Sequence, residues 1–522
     1  MSVSKFELEI FNNILSSIAE EMGTTLIRAA FSPNIKERKD LSCALFSSSG
    51  DMIAQAAHIP VHLGSMSFSV SAIIENEDIN EGDVFILNDP FKGGTHLPDI
   101  TCIAPVYIKD TLEFFVASRA HHADIGGKTP GSMPLSTTIH EEGLIISPGK
   151  LYDRGEFNDG LFNRILNSTR DPVEREGDFN AQLASLHTGQ RRLVESIEKY
   201  GLETIKEASV KLLNYSESIM RSVINSIPNG VYTFKDFLDD DGAGTEMIPL
   251  KVKIIIDDDQ VTIDFRGSSG RVKGCLNAPL SVTTAAVIYA FQCLAPGELP
   301  LNSGPLRILE IIVDEDSILN AAYPSAVVGG NVETSQRVVD LVFGALARAV
   351  PQKIQAASAG TMSNITFGGH NTKSNSDFAY YETIAGGMGA GSSRNGASAV
   401  QTHMTNTLNT PVEAIERDLP VRIRSYSVRK GSGGKGKFYG GNGIIREYEF
   451  LNNAEVSIIT ERRKTAPYGI NGGEHGLPGK NLLYSNGEFI TLAPKASFSV
   501  EKGKVLRIET PGGGGWGEPL KQ

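Results

Sequence analysis

Two short sequence frames gather residues of the types that bind metal ions. The first is His96-x-x-Asp99 in the stretch ILNDPFKGGTHLPDIT, and the second is His121-His122-x-Asp124 in the stretch FFVASRAHHADIGG. Neutral imidazole nitrogens and ionised carboxylate oxygens are ligands that divalent Zn, Mn and Fe accept together. The two frames therefore predict a metal site, either mononuclear or dinuclear.

A predicted β-hairpin brings the two frames together. The segments TCIAPVYI and LEFFVASRAHH have the apolar content of strands, and they flank a turn at Lys109-Asp110. In such a hairpin the first frame enters one strand and the second frame leaves the other, so both lie at the same end. The preceding segment DVFIL is a candidate neighbouring strand.

Other polar residues near these frames have simpler structural interpretations. Asp40 stands where a charged turn meets a strand, and local sequence favours a turn carboxylate over a metal ligand. His58 and His62 have the spacing of two ligands on one helix face, but Pro60 between them disfavours a helix. Loop histidines with ordinary hydrogen bonds are favoured over a loop that lines the site. The run His140 to Glu142 is predicted to lie in a surface loop.

Composition excludes several classes of protein. The 522 residues are too many for one core and predict roughly two to four domains. A net charge of −12 argues against a nucleic-acid partner. No apolar run reaches the roughly 18 residues of a membrane span, and the N-terminus does not have the pattern of a signal peptide. The four cysteines form no C-x-x-C pair, which favours reduced thiols in the cytoplasm.

The periodicity of apolar residues predicts an α+β, multidomain fold with mixed β-sheets, helical layers and a β-rich C-terminal subdomain. The predicted divisions are an N-terminal α/β metal-site domain (1–170), a helical segment (171–228), an α/β domain (229–420) and the β-rich subdomain (421–522). Predicted local features are helices at 4–30, 178–227 (interrupted at Gly189 and Gly201), 280–294 and 333–350, a hairpin at VKIIIDDDQVTIDF, loops at 360–411 and a flexible end at TPGGGGWGEP.

Three other patterns resemble ligand sites but lack the required context. GSGGKGKF (431–438) is close to a phosphate-binding loop, but Phe438 replaces the Ser or Thr that holds magnesium, and a strand-like segment follows. GMGAGSS (387–393) lacks the β-α context of a dinucleotide loop. The aspartate runs 239–241 and 257–259 lack the ligand spacing of a calcium loop. The predicted metal site therefore has no strong competitor.

Five motifs, in order along nearly the whole chain, resemble the hydantoinase B/oxoprolinase family: NDPFKGGTHLPDIT, RAHHADIGG, DFNAQ, NVETSQR and TPGGGGWG. Members of that family are B-type subunits of ATP-dependent cyclic-amide hydrolases such as N-methylhydantoinase and 5-oxoprolinase. A separate A-type subunit uses ATP to phosphorylate the carbonyl oxygen of the substrate. The B-type subunit carries a divalent metal site and completes the reaction.

The resemblance implies roles for particular residues. The family's metal ligands correspond to Asp40, His96, Asp99 and His121, which would hold one divalent ion (Mn, Zn or Fe). His122 and Asp124 would then be catalytic residues that support the ligands or transfer protons. The implied activity is hydrolysis of the ring C–N bond of a hydantoin, N-methylhydantoin, 5-oxoproline or lactam. The implied assembly is a cytoplasmic hetero-oligomer, α2β2 or larger, in which the partner binds ATP.

Two alternatives remain open at this point. Related large subunits occur in acetone and acetophenone carboxylases, so the chain could belong to an ATP-dependent carboxylase. It could also be a non-catalytic scaffold for the A-type subunit. The sequence distinguishes neither the ring substrate nor the metal, because mixed His/Asp sites accept Mn, Zn and Fe.

Overall fold

Helices and strands both occur up to residue 418 of the described chain, and strands alone follow from residue 421 to residue 509. The structure is a computed structural model that describes residues 5–56, 58–295, 297, 299–372, 375–485 and 487–519. Within these residues the helices are α1 (Lys5–Ala29), α2 (Pro33–Lys36), α3 (Ser65–Asn76), α4 (Asp159–Asn167), α5 (Pro172–Tyr200), α6 (Leu202–Asn225), α7 (Leu280–Gln292), α8 (Ser335–Ala349) and α9 (Val412–Asp418). With the four sheets described below, they confirm the predicted α+β class.

The first sheet contains the predicted hairpin. Its strands are β1 (Leu41–Ser47), β2 (Met52–Gln55), β3 (Val84–Leu87), β4 (Asp99–Ile108), β5 (Thr111–His121), β6 (Gly149–Asp153) and β7 (Glu156–Phe157), in the order β2-β1-β5-β4-β3-β6-β7. β4 and β5 pair antiparallel around Lys109 and Asp110, and β3 lies beside β4. The hairpin and its neighbour are therefore confirmed.

Both faces of this sheet are buried. Cys43 and Leu45 of β1 belong to an apolar core that includes residues of α1, α5 and α6. Ala44 and Phe46, which point the other way, belong to a second core with α7, α8 and the second sheet. Because alternate residues of a strand face opposite sides, burial of both sides explains the continuous apolar runs of these strands.

The helical layer on one side is interrupted once. Gly201, with φ of 89°, separates α5 from α6 as predicted. Gly189 is different, since it lies inside α5 and is no interruption. A Cβ there would be 2.5 Å from the sulfur of Met22 on α1, so Gly189 permits close packing of two helices.

The second sheet lies behind the first. Its strands are β8 (Gly230–Asp240), β9 (Glu246–Asp257), β10 (Gln260–Asp264) and β11 (Leu309–Ile312), in the order β11-β10-β9-β8. The predicted hairpin around the aspartate run is the β9–β10 pair. This sheet shares its apolar core with residues on both sides of the predicted boundary at 228. The division into domains stays a prediction.

The remaining strands form two further sheets. They are β12 (Asn364–Asn371), β13 (Ser376–Glu382), β14 (Val421–Arg429), β15 (Gly443–Phe450), β16 (Ala454–Ile459), β17 (Lys480–Ser485), β18 (Glu488–Thr491), β19 (Lys495–Val500) and β20 (Val505–Glu509). The third sheet has the order β13-β12-β16-β19 and the fourth β14-β15-β20-β17-β18. The segment 360–411, predicted as loop, thus begins with two strands, and the third sheet combines strands from both sides of residue 420.

Glycines pack against one another near the start of β15 and the end of β20. We call this the glycine bundle: Gly387, Gly389, Gly433, Gly434, Gly440, Gly441 and Gly512 to Gly515. The amide of Gly513 donates to Gly441 at 2.9 Å, and the amide of Gly434 donates to Gly513 at 2.9 Å. Residues 511–517 are buried, so the predicted flexible end is wrong. Without side chains, backbones approach closely enough to satisfy one another's polar groups.

Across the described ranges, no helix combines the length and the apolar character needed to cross a bilayer.

Candidate metal centre

The ladder of the hairpin places two of the predicted ligands opposite each other. Asp99 is the first residue of β4, His121 is the last of β5, and the two are paired in register. His96 precedes Asp99 in a tight turn whose backbone is held by Asn88, which donates to the carbonyl of Leu97 at 2.8 Å. The turn therefore returns His96 to the end of the hairpin, as the sequence predicted.

Close packing explains the two glycines in this turn. A Cβ on Gly94 would lie 2.4 Å from the carbonyl oxygen of Asn88, and Gly93 has φ of 95°. Only glycine permits both features without displacing the backbone. The motif Gly-Gly-Thr-His thus serves to fold the chain tightly before the first ligand.

Three side chains converge in a buried cluster. Nε2 of His96 and Nδ1 of His121 each lie 3.1 Å from Oδ1 of Asp99. The exposed fractions of the residues are 0% for His96, 1% for Asp99 and 2% for His121. In the described part of the chain, this is the group of three or more His, Cys, Asp or Glu residues that could hold a metal ion. One ligand atom from each residue lies within 4.8 Å of the others.

The cluster fits a divalent metal ion. Neither ring nitrogen of His96 nor Nε2 of His121 has a hydrogen-bond partner among the described residues, although all are buried. Ligands about 2.1 Å from one ion and at right angles to each other lie about 3 Å apart, close to the separations found here. The adjoining space, which we call the metal cavity, measures about 20 Å³ and is large enough for a single water or ion.

The electrostatics keep both kinds of ligand in metal-binding form. Burial acts to raise the pKa of the Asp99 carboxyl, but the surrounding histidine rings outweigh burial and hold that pKa well below its usual range. Burial also lowers the pKa of His121, against the opposing hydrogen bond to Asp99. Metal binding needs an ionised carboxylate and a neutral imidazole, which is the state these shifts favour.

The second oxygen of Asp99 is fixed from three directions. Oδ2 accepts hydrogen bonds from Thr95 at 2.8 Å and from the amide of Asn331 at 3.2 Å. Nε2 of His62 lies 3.3 Å from the same oxygen, and its Nδ1 lies 2.8 Å from the hydroxyl of Ser42. Oδ1 is therefore left to face the two histidine ligands.

Sequence reasoning placed His62 in a loop and missed its role. His62 ends a short 3-10 turn that begins at Pro60. The sequence predicted only that Pro60 would prevent a helix, whereas in the structure the proline also helps to position His62. Asn331 was also missed. It lies in a π-helical segment, Gly330–Thr334, directly before α8, and local irregularity of this kind often accompanies functional sites.

Asp40 lines the metal cavity but lies outside the close cluster. Its carbonyl accepts the amide of His121 at 3.0 Å, and its Oδ2 lies 3.7 Å from the guanidinium of Arg38. Lys39 before it has φ of 56°, so the turn bends sharply into β1. The fourth predicted ligand is thus beside the others, at the edge of the cavity.

The structure does not bring His122 and Asp124 to the metal cavity. His122 points to the opposite face of β5, where its Nε2 lies 2.9 Å from Gln182 and its ring packs on Phe179. Burial, together with the charge of Arg175, lowers the pKa of His122 to about 4.

Asp124 accepts the amides of Gly126 and Gly131 and pairs with Arg170 at 2.7 Å. These contacts give Asp124 a structural place in the loop after β5. The predicted catalytic roles of His122 and Asp124 therefore have no support from their positions.

The far wall of the cavity comes from residues distant in sequence. Tyr381 of β13 stacks on His121 with ring centroids 4.5 Å apart, and its hydroxyl donates to Asn364 at 2.9 Å. Met362 and Met404 add apolar surface. Residue spacing gave no signal for this wall, because its members are joined to the hairpin only by tertiary packing.

The loop 139–142 is only partly exposed. His140 is exposed as predicted, but Glu142 is fully buried, and its Oε1 accepts the amides of Val327 and Val328 and the hydroxyl of Ser136. The surface prediction is therefore wrong for Glu142. Burial raises the pKa of this carboxyl to about 7.

The segment 431–438, which resembles a phosphate loop, lies partly in the glycine bundle and leads into β15, not into a helix. The strand predicted after this segment is therefore confirmed, whereas a phosphate loop leads into the N-terminus of a helix.

Comparison with known proteins gives matches along the whole chain. The family model of hydantoinase B/oxoprolinase matches residues 4–519. The 5-oxoprolinase of Dictyostelium discoideum is 42% identical over 522 residues, which cover 98% of this chain and 40% of that protein. A Pseudomonas protein named as the B-type component of a D-/L-hydantoinase is 32% identical, with coverage of 100% of this chain and 91% of that protein. The chain thus spans about two fifths of the 5-oxoprolinase and nearly all of the hydantoinase component.

Two solved structures share the fold. The ATP-dependent caprolactamase from Pseudomonas jessenii superposes with a TM-score of 0.93 at 27% identity, covering 100% of this chain and 93% of that chain. A nucleotide-free acetone carboxylase superposes with a TM-score of 0.91 at 19% identity, covering 98% of this chain and 76% of that chain.

Proposed function

The chain belongs to the hydantoinase B/oxoprolinase family, and on that premise we propose that it is the metal-containing B-type subunit of an ATP-dependent cyclic-amide hydrolase. Its substrate is a hydantoin, 5-oxoproline or lactam whose carbonyl oxygen has been phosphorylated by an A-type partner. The names of two relatives, a 5-oxoprolinase and a D-/L-hydantoinase component, support this class of substrate.

The observation that carries the proposal is the cluster of His96, Asp99 and His121. Buried ring nitrogens without partners are costly in a folded protein unless something binds them, since each loses its hydrogen bonds to water. One divalent ion at this point would be held by one ring nitrogen of His96, one ring nitrogen of His121 and Oδ1 of Asp99. We assign Asp40, at the edge of the cavity, as the fourth ligand.

A divalent ion held there supplies Lewis-acid polarisation of a substrate oxygen and lowers the pKa of water. The protein contributes rigid positioning. Thr95, Asn331 and His62 hold one oxygen of Asp99 and leave the other aimed at the cluster. Such supporting contacts maintain the ligand orientation on which metal affinity depends.

The walls of the cavity exclude bulk water. Tyr381 lies flat against His121 and is itself covered by the guanidinium of Arg38, whose carbon is 4.7 Å from the ring centre. Met362 and Met404 line the same space. Burial of the cluster strengthens electrostatic interactions within it, which favours attack on an activated amide carbon.

A separate ATP-using partner is supported by the comparisons. The D. discoideum protein extends well beyond the matched 40% of its length, and the Pseudomonas relative carries the name of one subunit of an enzyme. In the described part of this chain, neither glycine-rich segment leads into a helix that would hold phosphates. The hetero-oligomeric assembly and the cytoplasmic location remain predictions.

Metal analysis tests the proposal directly. We expect about one divalent ion per purified chain, and its loss in the variant His96→Ala/His121→Ala. The matched control is His140→Ala/His370→Ala, which removes two exposed histidines. Equal metal content in both variants would contradict the ligand assignment.

Activity identifies the substrate. The chain is co-expressed with its A-type partner, and hydantoins, 5-oxoproline and lactams are screened with and without ATP. Ring opening that requires ATP, the partner and the histidine cluster supports the proposed hydrolase. Full activity of the His96→Ala/His121→Ala complex would instead indicate a scaffold.

The likeness to acetone carboxylase, at 19% identity, shows a shared fold and does not favour carboxylation.

A further inference from the structure

A second cavity lies at the end of α7, next to α8. Its volume is about 350 Å³, within the range of roughly 300–1,000 Å³ typical of small-molecule sites. We call it the basic cavity and define it by Tyr289, Cys293, Phe343, Lys353, Met388 and Arg394.

The charged groups of this cavity have one sign. Lys353 and Arg394 line it, and no carboxylate is among its described lining residues, although the chain as a whole has a net charge of −12. Lys353 donates to the hydroxyl of Ser226 at 3.0 Å. The guanidinium of Arg394 has no ion pair or hydrogen bond to any residue that the structure describes. Two cations at the mouth of a partly apolar pocket favour an anion carried on a small organic molecule.

Two consecutive residues contact the surroundings of the basic cavity and of the metal cavity. The ring of His403 packs against Tyr289 and Phe343, with centroids 5.8 Å and 5.5 Å away. The next residue, Met404, lines the metal cavity, and its carbonyl accepts the amide of Val61 at 3.1 Å. The linings of the two cavities are therefore connected through one short stretch of chain.

The two cavities differ greatly in volume, so they suit ligands of different sizes. The metal cavity, at about 20 Å³, is too small for a substrate ring, whereas the basic cavity can hold one. His403, which connects the two linings, has φ of 59°, a conformation that residues with a Cβ rarely adopt.

We propose that the basic cavity is a second small-molecule site, which binds the oxyanion group of a small organic compound, the substrate or the product of the proposed reaction. The nature of the compound rests on the proposed function, since a phosphorylated amide carries a phosphoryl group and a ring-opened product carries a carboxylate. The shared chemistry is an oxyanion bound by Lys353 and Arg394.

Cys293 provides a reporter inside the cavity. It is the exposed cysteine, whereas Cys43, Cys102 and Cys275 are buried. The rate of its reaction with a thiol reagent is measured on the full chain at a fixed alkaline pH, because the thiolate is the reactive form. Inorganic phosphate and glutamate are tested separately, each against chloride at equal ionic strength.

We expect saturable protection, with a fall in rate of about fivefold when the anion is present at four times its Kd. Protection by phosphate identifies a phosphoryl site, and protection by glutamate identifies a carboxylate site. The variant Lys353→Gln/Arg394→Gln should lose the protection, measured as the ratio of its own labelling rates with and without anion. A thermal unfolding midpoint close to that of the wild type shows that the variant folds.

The control Lys430→Gln/Lys502→Gln removes two exposed charges elsewhere and should keep the protection. Equal protection in the cavity variant, or none by either anion in the wild type, would overturn the proposal. The assay needs neither a metal ion nor the ATP-using partner, so its failure is distinguishable from failure of the proposed hydrolase.

Discussion

Asp99 and His121 face each other across the end of one hairpin, with Oδ1 and Nδ1 3.1 Å apart. Their separation is set by the hydrogen-bonded ladder of β4 and β5. A shift of this register by one residue would turn the two side chains to opposite faces of the sheet. The backbone pairing, and not the packing of the side chains alone, thus positions the residues of the candidate metal centre.

Removal of the amide at Asn331 is expected to weaken metal binding. In Asn331→Ala, Oδ2 of Asp99 loses a donor at 3.2 Å and becomes free to rotate away from the cluster. We expect affinity for Mn²⁺ to fall about 10- to 100-fold, the range typical of supporting contacts. Titration followed by electron paramagnetic resonance measures the affinity, with Asn13→Ala as the exposed control. Unchanged affinity would show that the contact is dispensable.

Asp40→Asn separates two roles for that carboxylate. As a fourth ligand, Asp40 contributes charge to the ion, and its loss should lower Mn²⁺ affinity by about tenfold or more. Asp110→Asn, at the exposed turn of the hairpin, is the control. If metal affinity is kept and only turnover falls, Asp40 transfers protons and the ligand assignment is wrong.

The buried carboxyl of Glu142 predicts a pH dependence of stability. Its pKa is raised by burial from 4.5 to about 7, so the folded protein favours the protonated form. This contribution is present below the unfolded pKa and is lost as pH rises through about 7. Glu142→Gln mimics the protonated form and should flatten the decline of the unfolding midpoint of metal-free protein between about pH 5 and pH 8.

Glu141→Gln is the matched control, because the neighbouring Glu141 lies in the same turn and is partly exposed. Its midpoint should decline in parallel with that of the wild type. If the unfolding midpoint of Glu142→Gln also declined in parallel with that of the wild type, ionisation of the Glu142 carboxyl would not be the cause of the decline.

Gly513→Ala is expected to destabilise the glycine bundle. The added Cβ would lie 2.1 Å from the carbonyl oxygen of Met388, a contact that backbone must move to relieve. Overpacking of this kind costs about 1–3 kcal/mol or more, so the thermal midpoint should fall by several degrees or the protein should fail to accumulate. Gly270→Ala, with no heavy atom within 4 Å of the added Cβ, should have little effect. A similar small effect at Gly513 would mean that the bundle is loosely packed.

The parts of the site that could be predicted from the sequence are those encoded locally. One turn and one hairpin position His96, Asp99 and His121. Apolar runs and turn residues in the sequence predict both elements. Asp40 entered only through the resemblance to a family, since a carboxylate at a turn carries no signal of its partners.

The remaining contacts depend on tertiary packing. Asn331 reaches Asp99 across 232 residues of sequence, and Tyr381 comes from another sheet. The burial of Gly512 to Gly515 was likewise hidden, because the run gives no sign of the backbones that surround it. His122 was grouped with His121 by adjacency, although neighbouring residues of a strand face opposite sides.

The long separation between Asn331 and Asp99 has a kinetic consequence. Contacts that close large loops are entropically costly and tend to form late in folding, after local elements such as the β4–β5 hairpin. A metal ion would then gain its full set of supported ligands only after the rate-limiting step. Added metal should leave the refolding rate almost unchanged and slow unfolding instead, so the ion would prolong the lifetime of the native state without guiding its formation.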